Sequence, residues 1–159
     1  FKIENYLKLI FIICLISIFS AYYIEYILGY QPCNLCLIER IPYGLSIILI
    51  VSNFIFKKKE KFLILLLTMT FVFSLIISIY HFGIEQAFFQ ESAICGIKNT
   101  VEILSKEELL KQLNQKTISC KDVTFKIFGL SLTTINIVLN LFLIILLTKI
   151  FTNYEKFKK

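Results

Sequence analysis

The sequence predicts an all-α integral membrane protein, a bundle of four transmembrane helices with two outward-facing loops, in a single membrane domain over residues 1–159. Of its 159 residues, 57% are hydrophobic, against about 45–50% in typical soluble domains. The mean hydropathy is +0.78. The apolar residues form four runs, each near the roughly 20 residues that a helix needs to cross a bilayer. Lys and Arg gather at the ends of these runs, as expected where helices leave the lipid.

The sequence gives bounds for all four spans and explains the boundary between the first two. We expect the spans at residues 7–28, 35–56, 62–82 and 127–148. The first ends in a group of tyrosines, which suit the membrane interface, and Gly29 is typical of a helix stop. The second must begin near Leu35 to reach full length. Pro42 then lies in its early turns, where the proline ring removes one backbone hydrogen bond.

The distribution of charge predicts the orientation of the bundle. Four spans put both termini on one side. The termini and the turn between the second and third spans hold ten Lys against three Glu, whereas the other polar segments hold seven basic residues against eight acidic ones. Short cytoplasmic segments are rich in Lys and Arg, so we expect both termini in the cytoplasm and loops 29–34 and 83–126 outside. The net charge of +6 does not indicate nucleic-acid binding, because the basic residues form no strip on one helix face.

The second outer loop is predicted to carry a short interfacial helix. Ser105 and Glu108 have the S-x-x-E spacing of a capping box, so a helix should run from there to about Asn114. Its leucines share one side, which favours a position on the membrane surface. Phe88 and Phe89 would be further anchors in the lipid.

Four of the five cysteines lie in polar or boundary segments, and they are the strongest functional signal. Cys33 and Cys36 form a C-x-x-C pair, whose small ring constrains little of the unfolded chain. This spacing therefore favours redox activity over a structural disulfide. A position at the start of a helix, with Arg40 nearby, would favour the thiolate of Cys36. Cys95 and Cys120 are either a structural disulfide or a second redox pair.

A zinc site built from the same four cysteines is an alternative. Structural zinc sites more often have two short-spaced cysteine pairs, whereas the second pair here is widely spaced. An oxidising outer face also favours disulfides over free thiolates. Cys14, inside the first apolar run, is expected to be an inert buried thiol.

Two side chains near the outer ends of the spans are candidates for binding a redox cofactor. Arg40 would either anchor its helix at the headgroups or hold a quinone carbonyl through a charge-assisted hydrogen bond. His81 would be an interfacial residue, or a proton donor or acceptor in quinone reduction. Glu39 and Glu85 are expected to be solvated charges at the rim.

Taken together, these residues resemble the family of the disulfide bond formation protein B, DsbB. The resemblance is carried by P-C-N-L-C-L-I-E-R (32–40), Y-H-F-G-I-E (80–85), F-G-L-S-L-T-T-I-N (128–136) and the cysteine pair in the second outer loop. It implies an enzyme of the bacterial inner membrane that reoxidises DsbA, a soluble periplasmic thiol oxidant. The electrons would pass to a quinone, ubiquinone or menaquinone. A DsbA-like protein and membrane lipid are then the partners of a monomeric chain.

The resemblance also implies a role for each cysteine. Cys95 would be captured by the DsbA-like partner in a mixed disulfide, with Cys120 as its pair. Cys33 and Cys36 would reoxidise that pair through a transient Cys33–Cys120 bridge. Cys36 would lie next to the quinone ring, and Arg40 would hold the quinone.

Two other functions are compatible with the same cysteines. The vitamin K epoxide reductase group is mechanistically related, but its loop pair precedes the C-x-x-C, the reverse of the order here. A non-enzymatic membrane protein could instead use static disulfides or zinc to hold its loops. Thiol titration with and without quinone, together with a metal assay, distinguishes these possibilities.

Overall fold

The computed structural model describes residues 3–56, 60–90, 95, 120, 126–127 and 129–154. In this part of the chain, four long helices and a short hairpin are found: α1 (Ile3–Tyr26), α2 (Asn34–Phe56), α3 (Glu60–Glu85), β1 (Lys126–Ile127), β2 (Leu130–Ser131) and α4 (Leu132–Thr152). All four helices are long and apolar enough to cross a membrane. The predicted four-span, all-α bundle is therefore confirmed.

The helices pack with α3 in the middle. Helix α3 lies along both α2 and α4, and α1 lies along α2. An apolar core fills the half of the bundle that contains the ends of the chain; its fully buried members include Ile10, Ile50, Ile64, Leu67, Phe71, Leu143 and Leu147. Large apolar side chains such as Phe19, Ile48 and Phe73 are more than 60% exposed. A surface this apolar is suited to lipid.

The end of α1 and the start of α2, which flank loop 29–34, lie within two residues of the positions that the sequence predicts. After α1, Gly29 has a φ of 74°, which glycine adopts without steric cost. The N–H of Tyr30 then reaches the carbonyl of Ile24 at 3.2 Å, so the glycine closes the helix as expected. Helix α2 begins at Asn34 and continues through Pro42 without a break.

The fourth helix begins at Leu132, later than the residue 127 expected from hydropathy. Gly129, with a φ of 82°, lies in the turn between β1 and β2. Ser131 then caps α4, since its hydroxyl accepts the N–H of Thr134 at 3.2 Å. The residues of this hairpin are uncharged apart from Lys126, so the break is invisible to a hydropathy pattern.

The other differences from the sequence prediction lie at helix ends. Helix α1 begins at Ile3, α3 continues to Glu85, and α4 continues to Thr152. Each helix thus extends by about a turn of polar or basic residues beyond its uncharged run. The interfacial helix expected after Ser105 lies outside the described residues.

Beyond α3 the chain folds back over Gly83. The N–H groups of Phe88 and Phe89 donate to the carbonyl of Gly83 at 2.8 and 3.2 Å, and the Phe89 ring stacks on Tyr80 with centroids 5.8 Å apart. A Cβ atom at position 83 would collide with the Phe89 ring. Glycine is therefore required for this close approach. Phe88 is 78% exposed, and its role as a lipid anchor stays a prediction.

The variant Gly83→Ala should be less stable by about 1 kcal/mol, because the Phe89 ring must leave Tyr80 and lose its stacking. Thermal unfolding in detergent measures this change. In a Phe89→Ala background the same substitution should have almost no effect. An equal loss in both backgrounds would show that Phe89 is not the cause.

Candidate functional site

The Cys33–Cys36 disulfide lies at the N-terminus of α2. The two Cα atoms are 5.1 Å apart, and Cys33 immediately precedes the first helical residue. The N–H of Cys36 donates to the sulfur of Cys33 at 3.2 Å, so this sulfur takes the place of the usual capping oxygen. The sequence had suggested that the helix N-terminus favours the thiolate of Cys36. In the structure the backbone N–H group contacts Cys33.

The second disulfide joins Cys95 to Cys120, with Cα atoms 5.5 Å apart. Both cysteines are buried, and they pack with Cys33, Leu35 and Ile84 in one small apolar cluster. The structure thus brings together the two pairs that the sequence predicts. A four-cysteine zinc site would require thiolates, whereas these sulfurs are bonded in pairs.

His81 lies against Cys33 in the interior of the bundle. Its Nε2 atom is 3.5 Å from the sulfur of Cys33, and its Nδ1 atom is 3.1 Å from Oε1 of Glu39. His81 is only 2% exposed and Glu39 only 8%. The expectation that Glu39 is a solvated rim charge was therefore wrong. A carboxylate in an apolar surrounding needs hydrogen-bond partners, and α3 and α4 supply them.

Asn136 of α4 binds the second oxygen of Glu39. Its Nδ2 atom donates to Oε2 of Glu39 at 3.0 Å and to the hydroxyl of Ser78 at 2.8 Å. Its Oδ1 atom accepts the hydroxyl of Tyr43. Asn140, one turn further along α4, continues this network to Tyr43 and Ser78 at 3.3 and 3.4 Å. Helices α2, α3 and α4 are thus joined by one buried polar network.

Glu85 joins the end of α3 to the start of α4. Its two oxygens accept the hydroxyls of Thr133 at 2.6 Å and of Ser131 at 2.7 Å. The Thr133 hydroxyl also lies 3.4 Å from Nδ1 of His81. Glu85 had been expected at the solvated rim, but it is partly buried and bound on both oxygens. Glu39 therefore contacts His81 directly, and Glu85 is linked to His81 through the Thr133 hydroxyl.

The sequence motifs did not indicate Glu39, Asn136 and Thr133 as members of the site. A signal was present, since polar residues inside a transmembrane run are costly and tend to face the bundle interior. Asn136 and Asn140 are spaced by four residues in an uncharged run, which places them on one helix face.

Arg40 contacts two residues of α1. Its Nη1 atom donates to Oε2 of Glu25, and its guanidinium lies over the ring of Tyr22, 5.2 Å from the centroid. The side chains of Arg40 and Glu25 are 18% and 20% exposed. This pair joins the last turn of α1 to the first turns of α2.

A cavity of about 460 Å³ opens between α1, α2 and α4. Cys36, Arg40, Tyr43, His81 and Cys120 contribute to its wall. The rest is mainly apolar, with Ile13, Ile16, Ile24, Leu132, Ile135 and Leu139 among the lining residues. Its volume lies in the range of small-molecule sites, which are typically apolar with a few polar groups.

Comparisons with known proteins agree with this arrangement. The model of the family described as "Disulfide bond formation protein DsbB" matches residues 4–150. A similar protein, "Uncharacterized protein RP370" of Rickettsia prowazekii (strain Madrid E), is 35% identical over 137 residues, covering 85% of this chain and 80% of that protein. No solved structure matches the chain.

Replacing Asn136 with Leu should destabilise the bundle more than the same change at Asn140. Asn136→Leu leaves Oε2 of the buried Glu39 carboxylate without a partner and leaves the Tyr43 hydroxyl only its 3.3 Å contact with Asn140, which costs about 2 kcal/mol or more. Asn140→Leu removes three long hydrogen bonds between neutral groups, at 3.3, 3.4 and 3.5 Å, and should cost about 1 kcal/mol or less. Thermal unfolding in detergent compares the two variants. Equal losses would contradict a special role for the contact with Glu39.

Proposed function

The chain belongs to the DsbB family of disulfide bond formation proteins, and from this premise we propose that it is a quinone-dependent thiol oxidase of the bacterial inner membrane. Membership makes it a membrane-embedded disulfide oxidoreductase. The proposed electron donor is a DsbA-like soluble dithiol protein. Electrons then pass from Cys95/Cys120 to Cys33/Cys36 and on to quinone. The observation that carries the proposal is a disulfide at the wall of an apolar cavity inside a membrane bundle.

The proposed relay is supported by the proximity of the two disulfides. Thiol–disulfide exchange requires a thiolate of one pair to reach a sulfur of the other. Cys33, Cys95 and Cys120 belong to one buried cluster, so a transient Cys33–Cys120 bridge needs only local movement. Cys95 would first form the mixed disulfide with the partner. Each turnover takes two electrons and two protons from the partner dithiol.

The residues around the cavity fit a quinone. Apolar side chains from α1 and α4 suit its ring and tail, and Arg40 can donate to a carbonyl oxygen. Cys36 and His81 also line this cavity. A bound quinone would supply an acceptor for two electrons and two protons. DsbA is a strong oxidant at about −120 mV, so its reoxidation needs a strongly oxidising acceptor.

The proposed orientation has both termini in the cytoplasm and both cysteine loops in the periplasm. The charge distribution supports it, since ten Lys against three Glu flank the apolar runs on the side of the termini. Both disulfides lie in one cluster, so they share one side of the bundle. The periplasm is where disulfides form and persist.

The proposal is tested by thiol-dependent quinone reduction with purified protein, a reduced DsbA-like partner and a water-soluble quinone. Cys33→Ser and Cys36→Ser should each reduce the rate to background, because the S–S bond next to the cavity cannot form. Cys14→Ser, which changes the buried unpaired cysteine, is the matched control and should keep the rate. Full activity in the Cys33→Ser, Cys36→Ser double variant would overturn the thiol-oxidase function. Static disulfides would give no response to quinone in any variant.

Arg40→Gln should raise the KM for quinone roughly tenfold, because a charge-assisted hydrogen bond is worth about 1.5–3 kcal/mol. Steady-state quinone reduction measures the change. The double variant Glu25→Gln, Arg40→Gln removes the carboxylate that would otherwise lose its partner, and it should show the same KM effect.

Lys61→Gln is the matched control for Arg40. Lys61 is also a cation over an aromatic ring, 5.6 Å from the centroid of Phe151. It lies in the first turn of α3, far from the cavity, in the half of the bundle that contains the ends of the chain. Its loss should leave the KM unchanged. An unchanged KM in Arg40→Gln would return Arg40 to the role of a helix anchor.

A further inference from the structure

We propose that His81 is the general base for Cys33 and that Glu39 is the positioning residue that orients it. Cys33, His81 and Glu39 then form a proton-transfer triad built across α2 and α3. The inference rests on the proposed thiol-oxidase function and adds a route for the proton of one named cysteine. It also gives His81 a direct role at the sulfur of Cys33, in addition to its position in the wall of the cavity.

The hydrogen bonds of His81 determine which ring nitrogen carries the proton. Nδ1 faces Oε1 of Glu39 at 3.1 Å, and an ionised carboxylate can only accept a hydrogen bond. The nearby hydroxyl of Thr133 donates its own hydrogen to Glu85 at 2.6 Å, so it too can accept from Nδ1. The hydrogen of the neutral imidazole is therefore on Nδ1. The lone pair of Nε2 is left facing the sulfur of Cys33, 3.5 Å away.

Asn136 keeps Glu39 in the role of acceptor. Its amide N–H group donates to Oε2 of Glu39 at 3.0 Å, while its carbonyl oxygen accepts the hydroxyl of Tyr43. Both carboxylate oxygens thus face N–H donors, one from α3 and one from α4. This arrangement has the general pattern of a nucleophile, a base and a third group that orients the base.

The charges around the triad favour proton transfer from Cys33 to His81. Glu39 lies in direct contact with the ring and Glu85 lies one hydroxyl away, so two carboxylates would stabilise an imidazolium. The guanidinium of Arg40 is paired with Glu25 of α1, which offsets its charge. On the sulfur side, the N–H of Cys36 donates to Cys33 at 3.2 Å and would stabilise the thiolate.

The reaction balances with the acceptor already proposed. Closing the Cys33–Cys36 bond breaks two S–H bonds and forms one S–S bond. Two electrons and two protons are released, and the quinone takes up both as quinol. His81 accepts the proton of Cys33 at Nε2, and because His81 also lines the cavity, it can release that proton to the reduced acceptor.

The test is the pH dependence of alkylation in the reduced protein. Cys95→Ser, Cys120→Ser protein is reduced, freed of quinone and treated with iodoacetamide, and mass spectrometry follows Cys33 and Cys36 separately. In the protein that keeps His81, Cys33 should react with iodoacetamide at pH values below about 8.5, the ordinary pKa of a cysteine thiol. His81→Gln should slow Cys33 at pH 7 about tenfold and move its pH midpoint upward by about one unit. Cys36 should change less than about twofold.

Glu39→Gln should give a smaller upward shift of the Cys33 midpoint, because the imidazole remains but loses its carboxylate. Glu60→Gln is the same chemical change at the first residue of α3, at the opposite end of this helix from His81. It should leave the pH profile of Cys33 alkylation unchanged. In His81→Gly protein, added imidazole should restore the Cys33 rate in proportion to its concentration. Damage to the fold would not be repaired in this way.

Two results would overturn the assignment of His81 as a base. One is an unchanged Cys33 profile in His81→Gln. The other is equal slowing of Cys33 and Cys36 without rescue by imidazole. Because these rates are measured without quinone or partner, either result leaves the thiol-oxidase function standing. Only the assay of thiol-dependent quinone reduction can contradict that function.

Discussion

The half of the bundle that contains the disulfides depends on the hydrogen bonds that the buried carboxylate of Glu39 requires. A charged group away from water must have its oxygens hydrogen-bonded. Here α3 supplies His81 for one oxygen and α4 supplies Asn136 for the other. Because the two partners come from different helices, satisfying Glu39 fixes α2, α3 and α4 relative to one another. The apolar packing in the other half of the bundle is non-directional and fixes the relative positions of the helices less strictly.

The same hydrogen bonds explain how the redox site is arranged. His81 is held by Glu39 on one side, so its other ring nitrogen faces Cys33 at the N-terminus of α2. About two turns further along α2, Arg40 contacts Glu25 and Tyr22 of α1. The cavity lies between these helices, with Cys36 in its wall. The disulfide thus contacts the His81 ring on one side and a mainly apolar, ligand-sized cavity on the other.

Much of the fold could be predicted because its signals are local. Hydropathy gives four spans, Gly29 gives a helix stop, and the cysteine spacing indicates two pairs. The start of α4 could not be predicted from hydropathy, since the hairpin before it is as apolar as the helix. Glu39 was misjudged because burial depends on which partners other helices bring. A single sequence gives no sign that His81 and Asn136 converge on one carboxylate.

The claim that the Cys33–Cys36 pair itself reduces quinone is tested most directly by a single turnover without oxygen. Cys95→Ser, Cys120→Ser protein is reduced, freed of excess reductant and mixed with quinone. We predict one quinol for each Cys33–Cys36 disulfide that forms, with no partner protein present. Quinone left unreduced while both thiols remain free would contradict the claim, and so would quinol formed without loss of these two thiols.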